Sequence, residues 1–161
     1  MARTFATVTG YDPSAGSLKV ARERMPAVPF VNDVAQVPDD TFDFAVIAGV
    51  LHHVAPESRA DLISDALRKL RPGGKVVVFE HNPYNPLTLR AVAACPFDDD
   101  AILLNPRTVR ATVSLGGAVD VQQDFIVFFP HLLRALRPLE PRLAWLGLGA
   151  QTMTVGTRAA M

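Results

Sequence analysis

Short apolar, β-branched runs alternate along this chain with segments in which apolar positions recur three and four residues apart. That alternation predicts strands interleaved with helices, an α/β fold. The first run, residues 6–11, ends at Asp12-Pro13-Ser14, a turn and helix-start signal; a helix over about residues 15–24 follows and stops at Pro26. Residues 28–31 predict a short second strand. Residues 42–48, Phe-Asp-Phe-Ala-Val-Ile-Ala, are nearly continuously apolar, as a central parallel strand should be. Pro56 suits the first position of the next helix. On that helix Leu62, Ile63, Ala66, Leu67 and Leu70 share one face, with Arg59, Asp61, Asp65, Arg68 and Lys69 elsewhere. Pro72-Gly73-Gly74 predicts its end, and residues 75–80 a fourth strand.

The second half is more broken. Residues 81–86 contain two prolines and two asparagines and predict a loop, with a short helix over about residues 87–94 after it. Asn105-Pro106 reads as a cap plus first-turn proline for a helix ending at Gly116-Gly117. Residues 119–127 and 152–157 predict two late strands, an antiparallel hairpin on the edge of an otherwise parallel sheet. Between them lies a proline-punctuated helical insertion at about residues 130–147.

Composition narrows the class. A length of 161 residues fits one domain, and 49% hydrophobic with 20% charged residues is too apolar for a disordered chain. Sixteen basic residues balance sixteen acidic ones, so the whole chain carries no electrostatic footprint for nucleic acid. The single cysteine, Cys95, excludes an intramolecular disulfide framework and a cysteine-rich zinc site, and reads as a packed thiol. Residues 1–5 have no apolar run like that of a secretion signal, and the apolar stretch at 125–148 is too interrupted by charge and proline to span a bilayer. The expectation is a single cytoplasmic domain over residues 1–161.

In open α/β sheets ligands bind outside the carboxyl ends of the strands, so the residues there are the candidates. After the first strand comes Asp12, which can accept from the vicinal hydroxyls of a ribose or simply cap a turn. After the second come Asp33, able to accept from an exocyclic amine, and Val34, able to lie against a flat base; a solvated loop is the plainer reading. After the third comes Gly49-Val50-Leu51-His52-His53, where glycine permits close approach of a ligand to the backbone. After the fourth comes Glu80-His81-Asn82. A metal held by His52, His53, Glu80, His81 and residues 98–100 has no ligand spacing to support it, and none is expected.

These residues carry a resemblance. Gly10-Tyr11-Asp12-Pro13-Ser14, the Phe42-Asp43 strand leading to Gly49-Val50-Leu51-His52-His53-Val54, and Leu70-Arg71-Pro72-Gly73-Gly74 before a valine-rich strand resemble class I S-adenosylmethionine-dependent methyltransferases, the small-molecule group that includes quinone-biosynthesis enzymes. The resemblance implies a Rossmann-like, mostly parallel sheet and S-adenosylmethionine as cofactor. It implies that Asp12 holds the ribose, that Asp33 faces the adenine amine with Val34 on the ring, and that Ala48 and Gly49 line the methionine end. His52, Glu80, Asn82 and Tyr84 would face a small-molecule acceptor, with His53 or His81 as base.

The chain departs from that pattern in one respect. A Gly-x-Gly-x-Gly loop after an opening strand occurs nowhere in the 161 residues. The first βα unit is thus expected to be missing, and with it the strand between the first and third runs. Three arrangements fit: a piece of a longer methyltransferase, a degenerate relative that pairs the two central strands directly and binds no cofactor, or a chain completed by a second one. The late segment adds another question. Residues 125–129 with Leu132, Leu133, Leu136 and Trp145 are very apolar, beside Arg134, Arg137 and Arg142. They read as a lid over a greasy acceptor, a surface helix touching membrane, or a strand and helix packed on the core.

Overall fold

The computed structural model describes residues 7–96 and 101–160, which form two compact units divided between Asp39 and Asp40. In the first, strand β1 (Gly10–Tyr11) runs parallel to β2 (Phe30–Val31), with helix α1 (Ala15–Arg24) between them in sequence. The Ser14 hydroxyl caps α1 by accepting from the Ser17 N–H at 3.3 Å. β1 is shorter than residues 6–11: residue 6 lies outside the described residues, and residues 7–9 form no ladder, because β2 offers only two residues to pair with. Gly10 is needed for that pairing, since a Cβ there would lie 2.3 Å from the Phe30 ring.

The second unit begins with β3 (Phe42–Ala48), at the expected position. The 3-10 turn Pro56–Ser58 and helix α2 (Arg59–Lys69) follow, so Pro56 opens a turn ahead of the helix rather than the helix itself. β4 (Leu70–His81) starts directly at the end of α2. Pro72-Gly73-Gly74 is therefore not a free turn but a bulge inside β4: pairing jumps from Phe42 opposite Leu70 to Phe44 opposite Lys75. Gly73 supplies the left-handed conformation there, at φ +79°. Then come α3 (Pro86–Ala93), α4 (Pro106–Leu115), β5 (Ala118–Ile126), a kinked 3-10 segment (His131–Leu139), α5 (Glu140–Leu143) and β6 (Gln151–Arg158).

The sheet order is β3-β4-β6-β5, parallel between β3 and β4 and antiparallel across β6. This is the expected α/β architecture with an antiparallel edge hairpin. Within the first unit β1 pairs with β2, and within the second β3 pairs with β4. α2 and α4 cover one face of the sheet and bury Ile47, Ile63, Leu67, Val76, Val78, Val109 and Val113. Of the charged positions off the apolar face of α2, Arg59 and Lys69 are nevertheless buried.

α4 is set by its cap. The Asn105 side chain accepts from the Thr108 N–H at 2.9 Å, and Pro106 takes the first turn. Asn105→Ala is expected to lower stability by about 1 kcal/mol, and Asn105→Ser to restore most of it. Urea unfolding of the two variants checks this.

Candidate functional site

The carboxyl ends of β3 and β4 lie side by side, with Ala48 opposite Phe79 and the Gly49 N–H on the Phe79 carbonyl at 2.9 Å. One residue on, Glu80 is buried at 2% exposure. A carboxylate there must be fully occupied, because an unpaired buried charge is costly. It is occupied by the loop after β3. Glu80 Oε1 accepts from the Leu51 N–H at 2.8 Å and the Val50 N–H at 3.2 Å, while Oε2 lies 2.6 Å from His52 Nδ1. An ionised carboxylate only accepts, so Nδ1 carries the hydrogen. Residues Leu51–His53 form a 3-10 turn whose own N-cap residue, Val50, supplies no side-chain hydrogen bond. Glu80 caps that turn from the neighbouring strand, satisfying amides a helix start leaves without partners.

The turn is clamped from its other side by a residue that lies off the apolar face of α2. Arg59 Nε donates to the Leu51 carbonyl at 3.0 Å and the Val54 carbonyl at 2.9 Å. The available signal was a basic residue at the first position of a helix, where the dipole favours acids.

Around this clamp the histidines gather. The His52 ring is buried, 4.2 Å from the His53 ring and 5.2 Å from the His81 ring between centroids. His53 is exposed and His81 half-buried. Ala48, Gly49 and Val50 are exposed as well, and Gly49 has φ +63° with only His52 Cε1, at 3.7 Å, near the place of a Cβ. The result is an open stretch of backbone with two accessible imidazoles beside it. Among the described residues no three His, Cys, Asp or Glu side chains are placed to share a metal ion, and residues 98–100 lie outside them.

Asn82 is fully buried and its side chain is spent on backbone. Nδ2 donates to the Gly147 and Gly149 carbonyls at 3.0 and 2.7 Å, and Oδ1 accepts from the Tyr84 N–H at 3.1 Å. Asn85 and Thr88 continue the seam, donating to the Leu148 and Ala150 carbonyls. Tyr84 itself is exposed.

In the first unit Asp12 and Asp33 stand at the same end of the two-stranded sheet. The Asp12 N–H donates to the Val31 carbonyl at 3.2 Å, and its Oδ1 accepts from the Ser14 N–H at 2.8 Å. Asp33 caps the 3-10 turn Val34–Gln36 through the Ala35 N–H at 2.9 Å, and Val34 is half-buried. Each carboxylate thus takes the turn role with one oxygen, which leaves the geometry of a hydroxyl or amine acceptor available at the other.

Comparison with known proteins follows this geometry. The methyltransferase domain family matches residues 1–78. The chain is 36% identical over 84 residues to the demethylmenaquinone methyltransferase of Renibacterium salmoninarum, covering 49% of this chain and 35% of that protein. It is 27% identical over 143 residues to that of Paenarthrobacter aurescens, covering 86% of this chain and 51% of that protein. The chain therefore spans between a third and about half of these relatives. The fold matches a SAM-dependent methyltransferase crystal structure from Archaeoglobus fulgidus with a TM-score of 0.68 at 17% identity, over 92% of this chain and 75% of the other.

Proposed function

We propose that this chain, whose residues 1–78 match the methyltransferase domain family, serves methyl transfer from S-adenosylmethionine to a small-molecule acceptor. The observation that carries this reading is the Glu80 clamp. It holds open backbone at Ala48–Val50 and displays His53 and His81 at the carboxyl ends of two parallel strands, where such folds bind ligands. The relatives are named for acting on demethylmenaquinone, so a quinone-type aromatic is the first acceptor to try.

Each residue has a proposed part. Asp12 accepts from the ribose hydroxyls and Asp33 from the adenine amine, with Val34 against the ring. The exposed backbone of Ala48 and Gly49 lines the methionine end. When bound, the cofactor supplies an activated methyl group. Displacement from a sulfonium needs chiefly alignment, and the protein's further share is a base for an acidic acceptor, a contribution of typically ~10²–10⁴-fold. His53 or His81 takes that proton. Tyr84, exposed beyond β4, meets the acceptor. His52, Glu80 and Asn82, expected to face it, are buried and bonded to the protein's own groups, so their part is to position rather than to touch. A cytoplasmic location and a second chain pairing along the outer edge of β3 belong to the same proposal.

What supports a part at the nucleoside end is that, within the first unit, Asp12 and Asp33 each use one carboxylate oxygen for their own turn and keep the other. The Gly-x-Gly-x-Gly loop is not in the sequence. That favours a second reading, a methyltransferase-like binding or interaction protein without cofactor. Titration calorimetry with S-adenosylhomocysteine separates the two. We expect micromolar binding, weakened at least tenfold in Asp12→Ala, as loss of a charged hydrogen bond of about 1.5–3 kcal/mol requires. No binding by the unaltered chain would overturn cofactor use by these 161 residues alone, as the second reading and a piece of a longer methyltransferase both require.

A further inference from the structure

The segment from His131 to Leu148 leaves an unusual set of side chains in water. Leu132 is 92% exposed and Trp145 78%, and Leu133, Leu136, Leu139 and Leu148 are exposed beside them. A single exposed leucine is ordinary. Six large apolar side chains exposed within eighteen residues are not, because such a concentration points to a contact with something else. These six side chains, unlike the half-buried Leu143 and Leu146 of the same segment, are not packed on the core.

The segment is not a loose tail waiting to fold down. Its far end is tied by the Asn82 and Asn85 side chains to the carbonyls of Gly147, Leu148 and Gly149, and the Phe125 N–H donates to the Ala144 carbonyl at 2.8 Å. At its near end Glu140 accepts from the Phe129 N–H at 3.1 Å. The apolar side chains are thus presented outward from a pinned base.

Charge and polar chemistry choose the partner. The segment holds Arg134, Arg137 and Arg142 against one acid, Glu140, in a chain whose total charge is zero. Trp145 Nε1–H donates to the Arg142 carbonyl at 3.1 Å, so the indole can enter an apolar phase without stranding its donor. Leucine and tryptophan flanked by arginine, on short helical turns with Pro138 inside one and Pro141 in the first turn of the next, suit a surface that is apolar below and anionic above. No helix of the described residues is long and apolar enough to cross a membrane. We propose that residues 131–148 form a peripheral docking surface for an anionic lipid bilayer, with Leu132, Leu136 and Trp145 entering the headgroup boundary and the three arginines meeting lipid phosphates.

This inference stands apart from the methyl-transfer reading, and its test needs neither cofactor nor acceptor. Trp145 is the chain's only tryptophan, so its fluorescence reports the segment directly. The full chain is titrated with vesicles of phosphatidylglycerol and phosphatidylcholine, and with phosphatidylcholine alone, at 0.1 and 0.5 M salt, with binding checked by co-sedimentation. The expected result is a blue shift and sedimentation with the anionic vesicles, and at least tenfold weaker binding to the neutral ones or at the higher salt. Arg134→Gln/Arg137→Gln/Arg142→Gln and, separately, Leu132→Gln should each weaken anionic binding, the first at least tenfold. Leu132 is too exposed for its replacement to unfold the protein, and circular dichroism confirms the fold of the triple variant. Three results would overturn the proposal: no binding to anionic vesicles, equal binding to both vesicle types with the arginine variant unaffected, or a Trp145 shift that follows protein concentration without lipid, which would assign the surface to a second copy of the chain.

Discussion

Replacing Glu80 by alanine is expected to destabilise the second unit by about 3–5 kcal/mol, the cost of removing one partner from a buried charged cluster. Three donors lose their acceptor at once: the Val50 and Leu51 amides and His52 Nδ1–H. None of the Leu51 and His52 groups is reachable by water, since both residues are at most 2% exposed. Glu80→Gln should cost less, because its single carbonyl oxygen can still cap the turn while its amide donates to a His52 ring nitrogen left without hydrogen. Urea unfolding of both variants checks the order. The consequence reaches the proposed site as well. With the turn uncapped, Gly49 and His53 lose their fixed placement, so Glu80→Ala should weaken S-adenosylhomocysteine binding although Glu80 is itself buried at 2% exposure. A Glu80→Ala variant as stable as the unaltered chain would remove the clamp from the account.

The second large effect is expected where α2 crosses α4. Gly116 has an ordinary helical φ of −70°, so its backbone could accept any residue. Its surroundings could not: a Cβ there would lie 2.5 Å from Ile63 Cγ2, 2.6 Å from Ile63 Cβ and 2.9 Å from the Ala60 carbonyl oxygen. Gly116→Ala should therefore cost about 1–3 kcal/mol by overpacking. Ile63→Ala, at a side chain with no exposure, should cost about 2–5 kcal/mol by leaving a cavity. The two faults are opposite in sign and share the space of Ile63 Cγ2, while the contacts to Cβ and to the Ala60 carbonyl remain, so relief is partial. The double variant should be more stable than the sum of the singles by about 0.5–3 kcal/mol, which thermal and urea unfolding can measure as a coupling. Gly73→Ala provides the contrast. It has open space within 4 Å but φ +79°, so its cost, about 1–2 kcal/mol, is purely conformational.

Much of this fold was legible in the chain because its signals are local. β3 falls at the expected residues 42–48, Asn105 and Pro106 open α4, and Gly116-Gly117 close it. The antiparallel late hairpin also forms as expected. The failures have a common cause. Pro72-Gly73-Gly74 carries the chemistry of a free turn, yet it bulges within β4 because Leu70 already pairs with Phe42. Residues 7–9 have strand-like composition but form no ladder, since a strand extends only as far as its partner.

The same division runs through the site. The sequence alone determined which elements form and which polar residues stand at strand ends, since periodicity and turn chemistry act over a few residues. Only the tertiary structure decided what those residues do. Glu80 meets amides some thirty positions away, and Asn82 meets carbonyls sixty-five and sixty-seven positions away, so both are consumed by the fold. Leu132 and Trp145, apolar enough for a core, are left outside. Hydrogen-bond partners and burial depend on which strands become neighbours, and that adjacency is set by the packing of the whole unit rather than by any local run of residues.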